Sequence, residues 1–259
     1  MSIKKKSIII TGASSGLGAA LSVKYSHLGN KLFLLARSED RLNKVAEICR
    51  KNNATVTTII ADVTDAALMR SHLEDISNQH GVDIVIACAG VSAGTLDGPE
   101  TPAQVNKIFS TNINGVLNTV MPIIPHMIQK KSGNIVIISS MAGLLGLSSA
   151  PSYSASKGAA RLFAEALKGY LKTYNVQVST VIPGYIKTPM TAVNQFPMPF
   201  QISAEKAAHK IIHGVANNKG LIVFPIIMYF FLKLLNLLPS ELISYVNSKL
   251  PGKPAFEDN

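Results

Sequence analysis

The chain has 259 residues, 47% of them apolar, with 18 glycines and 13 prolines; this composition excludes disordered, collagen-like and disulfide-dense classes and fits one domain with one well-formed core. Lysine and arginine total 25 against 15 aspartates and glutamates, a formal net charge of +10, which favours anionic partners such as a phosphorylated cofactor or an acidic membrane surface. No concentrated basic stretch or reading module points to nucleic acid. Two cysteines, Cys49 and Cys88, are too few for a disulfide framework and fit a reducing compartment. The basic residues 1–7 run straight into Ile8, Ile9 and Ile10, leaving no room for a signal segment, so a cytoplasmic location is expected.

Residues 7–11 read as a short buried strand, and the glycine-rich turn after them opens a helix to about residue 27. The pattern repeats with a strand at 31–36, a helix at 39–52 and a strand at 55–61. This βαβαβ order predicts a mostly parallel sheet with helices on both faces. Further strands are expected at 84–87, 133–139, 177–181 and 221–224, separated by helices near 66–80, 101–130 and 154–174. Continuously apolar strands suit a sheet covered on both sides. The expected fold is a single α/β Rossmann-type domain over residues 1–259, a doubly wound parallel sheet of about seven strands. Residues 185–205, poor in periodicity and rich in Pro, Met and Phe, are expected to form a substrate lid over the carboxyl ends of the strands.

Thr11, Gly12, Ala13, Ser14, Ser15, Gly16, Leu17 and Gly18 stand between the first strand and the first helix. In that setting Gly12 can make the tight turn, Gly16 can let backbone approach a pyrophosphate, and Gly18 can permit close packing of helix on strand. The helix N-terminus adds exposed amides and a favourable dipole. At the end of the second strand, where an NAD site would offer a carboxylate to the ribose hydroxyls, the chain has Ala36, Arg37 and Ser38. Arg37 can bind a 2′-phosphate that a carboxylate would repel, so the expected cofactor is NADP(H). Tyr153 and Lys157, four residues apart on a predicted helix, share a face. An ammonium there should favour the tyrosinate and lower the phenol's pKa, suiting Tyr153 to proton transfer. Ser140, just past the fifth strand, can donate to the same substrate oxygen, with Ser139 as its neighbouring alternative.

The Gly-x-x-x-Gly-x-Gly spacing resembles that of the short-chain dehydrogenase/reductase family. The resemblance continues through Asp62-Val63, Ala87-Cys88-Ala89-Gly90, Asn112, the Ser140, Tyr153, Lys157 spacing and Pro183-Gly184. It implies that Asp62 holds the adenine amino group and that Val63 and the backbone of Ala89 and Gly90 line the cofactor. It also implies that Asn112 supports a kinked helix and a water leading to the lysine, and that Lys157 touches the nicotinamide ribose. Pro183, Gly184, Ile186 and Thr188 would hold the carboxamide side. An arginine at position 37 likewise implies NADP(H). The family usually has Asn-Asn-Ala-Gly where this chain has Ala87 to Gly90, so one polar contact must be absent or supplied elsewhere. The run through Asn114-Gly115, Ser139-Ser140, Ala142-Gly143 and Tyr153 to Gly158 further resembles 3-ketodihydrosphingosine and other lipid-ketone reductases, with 3-oxoacyl thioester reductases as the enzyme alternative.

Together these features predict a ketone/secondary-alcohol oxidoreductase for a small apolar or acyl-chain substrate, with walls from residues 92–98, 141–149 and the segment beginning at Tyr185. A non-catalytic cofactor-binding interaction protein is the alternative outside catalysis. No metal site is expected: His209 and His213 share helical spacing but lack further ligands. A homodimer or homotetramer is expected through Phe109, Ile113, Leu117, Phe163 and Leu167. The apolar C-terminal extension, residues 221–250, is expected to border the substrate site and to make peripheral contact with a membrane without spanning it, giving a membrane-associated cytoplasmic enzyme.

Overall fold

The computed structural model describes residues 5–249 and 251–256. Of the predicted domain and its C-terminal extension, residues 1–4, 250 and 257–259 therefore lie outside the described residues. The chain alternates β1 (Ser7–Thr11), α1 (Gly16–Ser26), β2 (Lys31–Ala36), α2 (Glu39–Lys51), β3 (Thr55–Ile60), α3 (Ala66–His80) and β4 (Ile84–Ala87). Next come α4 (Pro102–Phe109), a π-helical turn (Ser110–Asn114), α5 (Gly115–Val120), α6 (Ile124–Lys130), β5 (Asn134–Ile138), α7 (Pro151–Leu171) and β6 (Gln177–Pro183). The segment after β6 holds β7 (Ile186–Lys187), α8 (Pro189–Ala192) and β8 (Ile202–Ser203), followed by α9 (Ala204–Ala216), β9 (Leu221–Phe224), α10 (Ile226–Leu235) and α11 (Ser240–Ser248).

Seven strands form one parallel sheet in the order β3-β2-β1-β4-β5-β6-β9, while β7 and β8 pair separately. The chain winds outward from β1 to β3, then crosses back so that β4 lies on the other side of β1. The crevice at the carboxyl ends of β1 and β4 is therefore the switch point where such sheets bind ligands. Side chains alternate across the sheet. Ile8, Ile10, Leu32 and Leu34 pack with α1, α2 and α9 on one face. Ile9, Phe33, Leu35 and Val85 pack with α3, α5 and α7 on the other.

Three expectations require correction. Strand β3 is not buried at any position but mixes exposed and half-buried ones, because it is an edge of the sheet. The single helix expected over 101–130 is interrupted by the π-turn and again at residues 121–123, where Pro122 lacks the N–H that would continue the ladder. Among the helix residues expected to face another subunit, Leu167 is buried in the core and Phe163 packs partly against it, whereas Phe109 stays exposed.

The expected membrane contact, and the membrane-associated location with it, is also corrected. No helix among the described residues is long and apolar enough to cross a membrane. The apolar stretch is divided between β9, which completes the sheet, and the ten-residue α10, which at 1.5 Å per residue is only about 15 Å long. Met228, Tyr229 and Leu232 turn inward from α10 against Met141, Leu144 and Ile182. Asn236 donates to the Leu144 carbonyl at 2.6 Å. The segment thus caps the end of the molecule beside β6. Truncating fully buried Leu34 to Ala should cost about 2–5 kcal/mol of unfolding free energy. Phe230→Ser on the exposed side of α10 should change it by no more than about 0.5 kcal/mol. Urea denaturation of both variants checks this division of the helix.

Candidate active site

A cleft of about 260 Å³ opens at the switch point. The turn after β1 forms its floor. Gly12 has φ +68°, and a Cβ there would lie 2.8 Å from the Ala89 Cα, so only glycine allows the two loops to touch. Gly18 meets the carbonyl of Gly12 so closely that a side chain would displace the turn from α1. Ser15 caps α1 in an extended conformation without a side-chain bond to the helix, leaving first-turn amides available to an anion. Ser14, Ser15, Gly16, Leu17 and Gly18 all line the cleft. This glycine cradle at a helix start fits a dinucleotide pyrophosphate.

At the outer end stand Arg37, Ser38 and Arg41 on one side and Asp62 and Val63 on the other. Arg37 Nη1 lies 3.5 Å from Asp62 Oδ2, with 62% of the arginine side chain exposed. Burial pulls the Asp62 pKa upward, but hydrogen bonds from Thr64 N and Oγ1, both 2.9 Å, and the charge of Arg37 hold it below the ordinary carboxylate value. Arg41, one turn after Arg37, was not singled out by sequence reasoning; its signal is the second basic residue at helical spacing.

The backbone on either side of Ala87 is held by Thr11. Its buried hydroxyl accepts from the N–H groups of Cys88 (3.2 Å) and Ala89 (3.4 Å) and donates to the Ile86 carbonyl (3.4 Å). A threonine closing a run of isoleucines was the available signal. Ala89 and Gly90 then line the cleft, with Pro183, Gly184, Ile186 and Thr188 on its opposite wall.

At the inner end, β5 delivers Ser139 and Ser140 while α7 delivers Tyr153 and Lys157. Glu100 anchors the start of α7 by accepting from Ser152 N (3.0 Å) and Ser152 Oγ (2.7 Å), a carboxylate placed where the helix dipole favours it. The two serines separate in role: Ser139 Oγ donates to the Lys157 carbonyl at 2.8 Å, while Ser140 hydrogen-bonds the Tyr153 hydroxyl. Lys157 Nζ donates to the Ile138 carbonyl at 3.1 Å. Asn112, in the π-turn behind the cleft, accepts from Val91 N and donates to Val91 O, both at 2.9 Å, and donates to Ser156 Oγ at 3.0 Å. It ties the loop after β4 to α7.

The expected lowering of the Tyr153 pKa is reversed. Burial raises it, and the Ser140 hydrogen bond only partly offsets the rise. Burial also lowers Lys157 to about 8, with the Cys88 thiol acting the other way. The ammonium is itself desolvated and directed at a carbonyl, so it does not deliver the full field that the sequence spacing implied.

The family model for short chain dehydrogenase matches residues 6–196. An uncharacterized oxidoreductase of Myxococcus xanthus is 34% identical over 223 residues, covering 85% of this chain and 87% of that protein. The chain belongs to the short-chain dehydrogenase family, a class of nicotinamide-dinucleotide-dependent oxidoreductases. The same fold occurs in a short-chain dehydrogenase/reductase from Burkholderia phymatum in complex with NAD, at 23% identity and TM-score 0.83, over 99% of this chain and 100% of that one. It occurs too in a short-chain dehydrogenase from Sphingobium yanoikuyae in complex with NADPH, at 21% identity and TM-score 0.79, over 97% and 99%.

Because Lys157 falls from 10.5 to about 8 on folding, the unfolded chain holds more protons at this group between those values. Its contribution to stability therefore rises with pH across that window, and below it the cost of the buried charge is complete. Lys157→Met should raise the ligand-free melting temperature at pH 7, with a smaller gain at pH 9.5. Thermal denaturation at both pH values tests the sign.

Proposed function

We propose that this chain is an NADP(H)-dependent oxidoreductase that interconverts a ketone and a secondary alcohol on a substrate with an apolar body. The observation that carries this reading is one continuous cleft with Arg37 and Arg41 at one end and Ser140, Tyr153 and Lys157 at the other. The related folds hold NAD in one case and NADPH in another, so cofactor choice has to come from this chain's own residues. The guanidinium of Arg37 offers planar donors to a 2′-phosphate, and no carboxylate occupies the end of β2.

In ketone reduction the bound nicotinamide supplies the hydride. Negative charge then grows on the substrate oxygen, where Ser140 donates a hydrogen bond and Tyr153 delivers its proton. Burial keeps the Tyr153 phenol protonated through neutral pH, as this direction requires. Lys157, held by the Ile138 carbonyl, stabilises the tyrosinate left behind. Asn112 keeps the wall beside Lys157 in place. In alcohol oxidation the proton moves the opposite way. Met190 and the 185–205 segment, in which Tyr185 and Phe196 meet edge to face at 6.1 Å, supply apolar walls, and that segment serves as the lid; Met141 and Leu144, expected among the walls, are instead buried against α10. A second copy packing against Phe109 completes this reading as a homo-oligomer.

Tyr153→Phe should lower turnover by about 10²–10⁴-fold, the usual weight of a general acid, with NADPH affinity retained. Reduction should lose kcat/KM above about pH 8 as Lys157 loses its charge in the free enzyme. Unchanged turnover in the Phe variant would overturn the proton-transfer role. For the cofactor, wild type should bind NADPH more tightly than NADH. Arg37→Ala should weaken NADPH by about tenfold, a figure held down by the exposure of the side chain, and leave NADH nearly unchanged. Fluorescence titration with both cofactors measures it, and equal affinities in wild type would overturn the NADP(H) assignment.

A further inference from the structure

The last described residues return across the substrate side of the cleft. The N–H groups of Gly94 and Leu96 donate to the carbonyls of Pro254 (2.8 Å) and Lys253 (2.9 Å), and Ala255 N–H donates to the Asp97 carboxylate at 3.0 Å. The Lys107 ammonium stands 4.4 Å from the Phe256 ring centroid. Glycine at 94 makes the approach feasible, since a Cβ there would lie 2.6 Å from the Lys253 carbonyl oxygen. These contacts pin residues 251–256 onto the loop after β4.

Lys253 is thereby directed inward. Its Nζ lies 2.8 Å from Ser92 Oγ, 3.5 Å from the Met190 carbonyl oxygen and 5.8 Å from the centroid of the Tyr153 ring. Tyr153 and Met190 both line the cleft. All three partners are neutral, and among the described residues no carboxylate is paired with this ammonium. A lysine free to do so extends its charge into water; here the strap holds it in a partly desolvated position, where burial lowers its pKa to about 8. An unpaired, partly buried cation against the proposed proton donor is costly by itself, and an anionic ligand placed beside it would offset that cost.

We propose that Lys253 is a specificity residue that binds an anionic group, a carboxylate or a phosphate, carried by the ketone substrate within a few bonds of its reacting carbonyl. The substrate is then amphiphilic: its anion meets Lys253 and Ser92, its carbonyl meets Ser140 and Tyr153, and its apolar remainder lies along Met190 and the 185–205 segment. The inference rests on the assignment of Tyr153 made above and adds the substrate's charge.

The test uses the full chain with saturating NADPH and two matched pairs of ketones. One pair is a long-chain 3-oxo acid and its methyl ester; the other is a long-chain 1-phosphooxy-2-ketone and its 1-hydroxy parent. Wild type should favour the anionic member of at least one pair by about tenfold or more in kcat/KM, the weight of a charge-assisted hydrogen bond. The pair with the larger ratio identifies carboxylate or phosphate. K253M keeps the aliphatic stem and should collapse that ratio chiefly through KM, while K253R should retain most of it. Turnover of neutral ketones without anionic preference, or an equal ratio in wild type and K253M, overturns the role of Lys253 and leaves the reductase assignment standing. If no ketone is turned over, the reductase assignment fails, and the anion site is read separately from the thermal shift given by a long-chain carboxylate and an alkyl phosphate on the NADPH-saturated protein. A shift lost in K253M supports the site, and equal shifts in both proteins overturn it.

Discussion

The contact between the turn after β1 and the chain after β4 is the constraint on which the rest of the site depends. Gly12 lies so near Ala89 that no side chain fits, and the Thr11 hydroxyl binds the same loop through two N–H groups. This holds the two halves of the sheet together at their switch point. The start of α1, the backbone of Ala89 and Gly90, and the end of β5 consequently face one cleft. The core enforces the arrangement from below, because Ile8, Ile9 and Ile10 are fully buried and divide between the two faces of the sheet. The turn inherits its position from a strand that has no freedom to shift register.

Above this frame the site is electrostatically unbalanced. Lys157 is buried against a carbonyl, and Lys253 is turned inward among neutral groups. Arg37 has a partner in Asp62, but at 3.5 Å and largely exposed that pair is weak. Basic side chains thus stand at both the outer and the inner end of the cleft. Burying cations without opposite charges beside them costs stability, a familiar conflict between function and folding. The neutral groups around the charges, Ser140, Ser92 and the Ile138 carbonyl, fix direction without cancelling charge.

Elements with a strong local code were legible before folding was considered. The strand-turn-helix at residues 7–26, the basic end of β2 and the four-residue spacing of Tyr153 and Lys157 each carry their meaning in adjacent or periodic residues. Elements governed by distant partners were not. The π-turn depends on Asn112 reaching Val91 and Ser156, so hydrophobic periodicity read straight through it as one helix. The stretch 221–238 looked like a single apolar segment. Its strand is recruited by β6 and its helix is anchored on Met141 and Leu144, which gave it a packing role in place of the expected membrane contact. Tyr153 was expected to be acidified by its lysine, but burial, which no spacing encodes, acts more strongly on both groups.

By itself the amino-acid sequence determined the fold class and the place of the glycine-rich turn that opens α1, and it singled out Ser140 or its neighbour Ser139, Tyr153, Lys157 and Arg37 as candidates, because each follows from glycine conformational freedom, strand and helix periods, or charge at a strand end. Only the tertiary structure decided that Ser140 rather than Ser139 meets Tyr153, that Arg41 lines the cleft, that Thr11 holds the loop after β4, and that Lys253 comes within 5.8 Å of the Tyr153 ring. The physical reason is sequence separation. Thr11 and Cys88 stand 77 residues apart, and Ser92 and Lys253 stand 161 apart; such pairs acquire their interaction only after the sheet order and the C-terminal strap have brought them within hydrogen-bonding distance.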